Sequence, residues 1–272
     1  MGQDRGDTVH NLLTECDLCV KFPQWTCKGY LESAHRGLPM PRTPRKQQWT
    51  EEACYHVMNR GHNRERIFGD DDDRRHFLGL LARYRERFGL RLYHYCLMTN
   101  HFHVLVQLER PADLSKWLAG MLRAYVHYFN RRYRFVGHLW QGRFKSPAIQ
   151  CEGYLLSCGR YIERNPLEAG LVTEPWQYAW SSCRAYASGA ADPLLAENSY
   201  YLEWGVDDGS RQRRWREFLI QEDPKEQPIR RADWVVGDET FQKRLQGYQG
   251  RAVQRRRGRP PKRGGLAADI SS

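Results

Sequence analysis

From Gln47 onward, apolar and polar residues recur with periods that predict an ordered series of strands and helices. Residues 53–59 (ACYHVMN) read as a strand, ended by Arg60-Gly61. Asp70 to Asp73 supply an acidic first turn, favourable at the positive end of a helix dipole. Phe77, Leu78, Leu81, Tyr84 and Phe88 then fall at three- and four-residue steps, which predicts a helix that Gly89 stops. Two strand-like stretches, 91–98 and 102–108, are joined by Thr99-Asn100 as a hairpin. Leu114, Trp117, Leu118, Met121, Leu122, Tyr125 and Phe129 mark a second amphipathic helix over 113–133. Residues 151–164 predict a third, stopped at Asn165-Pro166 because a residue before proline is pushed out of helical geometry. The order β-α-β-β-α-α predicts an α+β fold, a ferredoxin-like antiparallel sheet with helices on one face.

Past about residue 190 the periodicity weakens to helical segments near 211–221 and 238–248, separated by a proline-rich, charged linker. The expected organisation is a leader over 1–46, a compact domain over 47–190, a C-terminal helical extension over 191–250 and a basic tail over 251–272. A chain of 272 residues with 40% hydrophobic and 12% aromatic content can pack one sizeable core. No apolar run approaches the roughly 20 residues of a membrane span, and the first residues lack a secretory pattern. A cytoplasmic, nucleoid-associated protein without membrane contact is the expectation.

The charge balance sharpens this. Lys and Arg number 43 against 32 Asp and Glu, a formal net charge of +11. Such an excess suits a polyanion, because neutralising phosphates releases counterions. Arg131, Arg132, Arg134, Arg143 and Lys145 are interleaved with Tyr133, Phe135, Trp140 and Phe144, which pairs cations with rings on which single-stranded bases could stack. Phe144 is expected in the core. From Arg251 to Gly264 there are seven Lys or Arg and no acid, including Arg255, Arg256, Arg257 and Arg259. Arg257-Gly258-Arg259-Pro260 has the form of a minor-groove element, and a solvated tail that adds affinity by charge alone explains it as well. Cys16, Cys19 and Cys27, with His10 or His35, could hold zinc, although the spacing fits no standard finger. A disordered leader, with Met40 as an alternative start, is the competing reading. Cys54, Cys96, Cys151, Cys158 and Cys183 read as reduced thiols in apolar or helical segments.

The candidate chemistry lies in two segments. In the strand around Asn100-His101-Phe102-His103, alternate side chains share a face, so His101 and His103 project together with Phe102 on the opposite side. Two neutral imidazoles aimed at one point suit a metal ion. In the third helix Tyr161 and Asn165 are four apart and share a face. A tyrosine hydroxyl can attack phosphorus once the phosphate is polarised, which Mg²⁺ or Mn²⁺ does, and the Asn165 amide oxygen suits such a hard ion.

These residues reach a known family. His-hydrophobe-His on a strand, with Tyr161-Ile162-x-x-Asn165-Pro166 some sixty residues later, resembles the single-tyrosine transposases of the IS200/IS605 type, and more closely the REP-associated tyrosine transposases. Tyr55-His56-Val57 leading to Arg60-Gly61, Cys96 through His101, Leu139 through Phe144, and Asn165-Pro166 through Ala169-Gly170-Leu171-Val172 agree in order and spacing. The resemblance spans about residues 47–185. It implies an HUH endonuclease fold and a divalent ion, Mg²⁺ or Mn²⁺, held by His101, His103 and Asn165. In the insertion-sequence enzymes Gln usually stands where Asn165 does. It also implies that Tyr161 cuts single-stranded hairpin DNA to give a 5′-phosphotyrosine and a 3′-hydroxyl that can later rejoin strands. Relatives act as dimers or alone, so a homodimer stays open. The rival readings are a non-cleaving binder of structured single-stranded DNA and an RNA-binding protein.

Overall fold

The computed structural model describes residues 50–221 and 235–250. The zinc candidates Cys16, Cys19, Cys27, His10 and His35, and the tail residues Arg255, Arg256, Arg257 and Arg259, lie outside them.

Strand β1 (Ala53–Arg60) pairs antiparallel with β3 (His101–Leu108), and β3 with β2 (Leu90–Met98). The hairpin closes through Thr99-Asn100, with Met98 opposite His101. A third neighbour, β4 (Ala148–Gln150), lines the other edge of β1, and β5 (Val235–Val236) runs parallel to β4. The sheet order is β2-β3-β1-β4-β5 and the sheet is mixed, not purely antiparallel as expected from sequence. Both added strands are too short to leave a periodic signature.

Helix α1 (Asp71–Phe88) starts where expected, with the Asp70 carboxylate accepting the Asp73 N–H at 3.2 Å. It ends at Gly89, whose φ of 58° is a left-handed conformation that a side chain resists. Helix α2 (Leu114–Tyr133) buries Leu114, Trp117, Leu118, Met121, Leu122, Tyr125 and Phe129. Both helices cover one face of the sheet, where Phe77, Leu81, Trp117 and Met121 meet Val57, Phe102, Val104 and Val106. Each such buried side chain contributes about 1.5–3 kcal/mol of transfer free energy.

Helix α3 (Cys151–Glu168) lies on the opposite face, packing Leu155, Cys158 and Ile162 against Cys96, Met98 and Leu105. Helices therefore cover both faces, which corrects the expectation of one. The physical reason is visible in β3, where Phe102, Val104 and Val106 join one apolar cluster and Leu105 the other. The start of α3 is irregular, with Glu152 extended (ψ 125°) and Gly153 at φ 77°.

The helix also runs past Asn165-Pro166, where a stop was expected. Pro166 has no N–H to give the carbonyl of Ile162, one turn back. Asn165 supplies the missing donor: its Nδ2 reaches the Ile162 carbonyl at 3.3 Å and the Tyr161 carbonyl at 2.7 Å. A side-chain amide thus repairs the defect and lets the helix continue.

Cys54 and Cys151 form a disulfide between β1 and the first residue of α3, against the expectation of reduced thiols. Strand pairing of Cys54 with Ile149, two residues before Cys151, brings them within reach. Cys96, Cys158 and Cys183 are buried free thiols, as expected.

Helix α4 (Cys183–Ser188) closes the 47–190 segment, and the residues beyond it contribute α5 (Ser199–Leu202), α6 (Asp208–Ile220) and α7 (Glu239–Gly250). Phe241 and Leu245 of α7 enter the α1–α2 core, whereas Trp215 and Leu219 of α6 pack with Cys183, Tyr186 and Ala187. Among the described residues no helix is long and apolar enough to cross a membrane.

Candidate active site

Register builds the site. Across the sheet, Cys96 pairs with His103, His103 with Met58, and Met58 with Lys145. Residues paired in this way point to the same face, which is the α3 side. The neighbouring row is Met98, His101 and Arg60, and the next is His94, Leu105 and His56. Four histidines, His56, His94, His101 and His103, consequently share the face that α3 covers.

Tyr161 on α3 meets this face. Its ring stands edge-on to His103, centroid to centroid 5.9 Å at 89°, and to His56 at 5.7 Å and 74°. His101 and His103 are 5.1 Å apart at 83°. The structure thus brings together His101, His103 and Tyr161, as sequence reasoning expected, and adds His56, which it missed. His56 is fully buried, and its Nε2 lies 2.9 Å from Nδ1 of His103. Burial without a charged partner drives its pKa from 6.5 down to about 3, so it is neutral. Alternation along β1 could have placed His56 on the Arg60 face. Its contact with His103 depended on strand register, which one sequence does not reveal.

The donor set suits a divalent ion. Nδ1 of His101 is 2.6 Å from Oδ1 of Asn100, and Nδ1 of His103 is engaged by His56. Both rings are thereby oriented from behind, the usual arrangement for metal-ligating histidine, and Nε2 is the nitrogen suited to a metal. Because Nδ2 of Asn165 is committed to backbone carbonyls, its oxygen is the atom it can offer a ligand. Among the described residues no three His, Cys, Asp or Glu side chains converge on a metal position. A metal here would rest on two imidazoles and an amide oxygen, with water completing the shell, a set that leans to Mn²⁺ or Mg²⁺.

The basic and aromatic stretch is pinned along β1. Met58 and Lys145 exchange backbone hydrogen bonds at 2.9 and 3.0 Å, and Gln141 N–H donates to the Arg60 carbonyl at 2.9 Å. Lys145 is exposed two strands from His103, about 10 Å away at normal strand spacing. Arg131, Arg134 and Arg143 are also exposed. The remaining members behave differently. Trp140 pairs with Gly61, so its ring faces the core and packs on Phe102 (5.9 Å) and Tyr125 (6.1 Å) instead of forming an open stacking platform. Phe144 is buried, as expected. Arg132 is committed to Asp70 and Asp73, at 2.5 and 2.7 Å, which removes it from the set of cations facing outward. Asp73 itself is a buried hub. Burial alone would raise its pKa, but hydrogen bonds from Tyr133, the Gly69 N–H and Tyr128, with Arg132 beside it, hold it below the ordinary value.

A histidine pair on a central strand, oriented from behind and faced by a tyrosine on a covering helix, defines a candidate phosphoryl-transfer centre. Residues 50–165 match the family described as "Transposase IS200 like". Over that segment the chain is similar to the IS200-like transposases. A solved structure described as "Structure of the REP associates tyrosine transposase bound to a REP hairpin" is similar at 14% identity, with 59% of this chain and 92% of that chain covered and a TM-score of 0.47. No curated protein matches the chain.

Proposed function

We propose that the protein nicks and rejoins single-stranded DNA, with Tyr161 as the nucleophile. The observation that carries this reading is the packing of the Tyr161 ring against His103 on the face that also bears His101. Oη of Tyr161 bonds to the scissile phosphorus, the bond from phosphorus to the 3′ oxygen breaks, and the phenolic proton passes through solvent to that oxygen. The products are a 5′-phosphotyrosine and a free 3′-hydroxyl. Since one phosphate ester replaces another, the step runs in reverse when a 3′-hydroxyl attacks the phosphotyrosine.

His101, His103 and Asn165 would hold Mg²⁺ or Mn²⁺, which when bound polarises the phosphate oxygens and offsets developing charge. His56 and Asn100 hold the two imidazoles in their ligand orientation. Arg131, Arg134, Arg143 and Lys145 supply a cationic path for the strand, and the arginines of the 251–272 tail add affinity through charge. The substrate is a single-stranded hairpin, as the order and spacing of the motifs around Tyr161 imply. The working unit extends from the 47–190 domain into the helices that follow it.

The test is incubation of the full chain with single-stranded hairpins from the flanks of its own gene, with Mg²⁺ or Mn²⁺. A covalent protein–DNA adduct, lost in Tyr161→Phe with hairpin binding retained, supports the reading. Tight hairpin binding without any adduct would instead identify a non-cleaving binder.

A further inference from the structure

The face of α3 next to Tyr161 is gripped by a helix beyond the family-matched segment, which ends at Asn165. Arg160 is almost completely buried. Its Nε donates to the Phe218 carbonyl, its Nη2 to the Gln221 carbonyl, and its guanidinium lies 4.9 Å from the centre of the Phe218 ring. Arg164 donates from Nη1 to the Leu219 carbonyl. These three oxygens lie at the C-terminal end of α6, where carbonyls have no partner within the helix and the dipole is negative. Two arginines of the tyrosine helix therefore cap α6.

Between them sits Glu163, fully buried. Its Oε2 accepts the indole N–H of Trp215 at 2.9 Å, its Oε1 accepts the Ser182 hydroxyl at 2.6 Å, and Nδ1 of His94 is 2.8 Å from Oε1. The His94 ring is stacked on Tyr186 and Trp215 at 4.4 and 5.5 Å. It also presses on the α3 backbone so closely that a Cβ at Gly159 would come within 2.5 Å of it. One strand, one loop and helix α6 thus converge on a carboxylate of α3 two residues from Tyr161.

Apolar packing alone tolerates small rotations of a helix, since neighbouring side chains adjust. A buried carboxylate and two guanidiniums do not, because any rotation leaves a charge or carbonyl buried without its partner, which costs far more. One residue of a helix subtends about 100°, so even a fraction of that swings a tyrosine away from the histidine face. We infer that α6 is a positioning element for Tyr161, acting through Arg160, Glu163 and Arg164 to fix the rotation of α3 against the sheet. These three, with Trp215 and His94, are positioning residues and do not touch the reacting phosphate. The inference rests on the reading of Tyr161 as nucleophile.

The experiment uses the full chain with Trp215→Phe, which keeps an aromatic ring, though a smaller one, and removes the N–H donor, and Glu163→Gln, which keeps the shape and removes the charge. Three quantities are measured in each: hairpin affinity, the single-turnover rate of adduct formation at saturating hairpin, and backbone amide exchange. The expected result is a rate at least tenfold lower with affinity within twofold of the parent. Exchange over residues 154–168 is expected to quicken while that of 101–108 is unchanged. A role limited to stability would move the unfolding temperature and leave the saturated rate alone. An unchanged rate in both folded variants overturns the inference. If the parent chain forms no adduct with any hairpin, the nucleophile reading fails separately. Amide exchange then decides whether α6 holds α3: unchanged exchange in both variants overturns the grip, and faster exchange confined to 154–168 upholds it.

Discussion

Nε2 of His56 lies 2.9 Å from Nδ1 of His103, in a fully buried position beneath the histidine face. For His103 to offer Nε2 to a metal as neutral imidazole, its proton must sit on Nδ1 and be donated to His56. The nitrogen on the far side of His56, Nδ1, has no hydrogen-bond partner. His56 therefore has the geometry of a tautomer-setting residue for its neighbour.

Removing it should weaken the metal site without touching a ligand. His56→Ala is expected to lower Mn²⁺ affinity about 10- to 100-fold, the usual cost of losing such a supporting contact. Titration of bound Mn²⁺ by paramagnetic resonance reads this directly, and affinity within a factor of two of the parent would dismiss the supporting role.

The same residue makes stability sensitive to acid. His56 titrates at 6.5 when exposed but at about 3 in the fold. Between those values the unfolded chain binds a proton that the folded chain refuses. Stability is therefore full above about pH 6.5 and falls as pH drops, by up to about 1.4 kcal/mol per pH unit from this group. Denaturant unfolding at pH 7, 6 and 5 should show a slope that becomes shallower in His56→Ala by as much as one proton. An identical slope in parent and variant would contradict it.

Much of this site is legible in the sequence. Alternation in one strand sufficed to put His101 and His103 on one face, because a period of two leaves no choice. A helix over 151–164 that carries Tyr161 is expected from the sequence, but its passage through Pro166 is not, since that depends on where the Asn165 amide points. The sides of the sheet on which the helices pack were missed for a similar reason. Residues in a central strand are apolar on both faces, as Val104 and Leu105 are, so hydrophobic pattern cannot assign a covering helix to either. His56 and Glu163 depend on register and on a distant tryptophan, which no local pattern contains.

Among the basic residues, the structure separates two roles. Arg143→Ala should reduce the slope of log affinity against log salt by about 0.7 for single-stranded DNA. Arg132→Ala should leave that slope unchanged and lower the unfolding temperature, because its guanidinium serves Asp70 and Asp73. Asp73→Ala, which strands Tyr128, Tyr133 and Arg132 together, is expected to cost about 2–4 kcal/mol. Equal salt-slope losses in Arg132→Ala and Arg143→Ala would refute the division.

The Cys54–Cys151 bond closes a loop with a sequence separation of 97. In the chain-entropy account a link of that span stabilises by about 4–5 kcal/mol. A dithiol reductant should therefore lower the unfolding temperature of the parent and leave Cys54→Ala unaffected. Peptide mapping without reductant should recover the two cysteines in one linked species. Recovery of both as free thiols from protein purified without reductant would remove the link.

The most direct measurement is the chemical identity of residue 161 after reaction. Protein incubated with its hairpin and Mn²⁺, then digested with nuclease and protease, should yield a peptide carrying a nucleotide joined through phosphate to the Tyr161 oxygen. Tyr161→Phe should yield none. A nucleotide found on any other residue, or an undiminished adduct in Tyr161→Phe, would contradict the account at its centre.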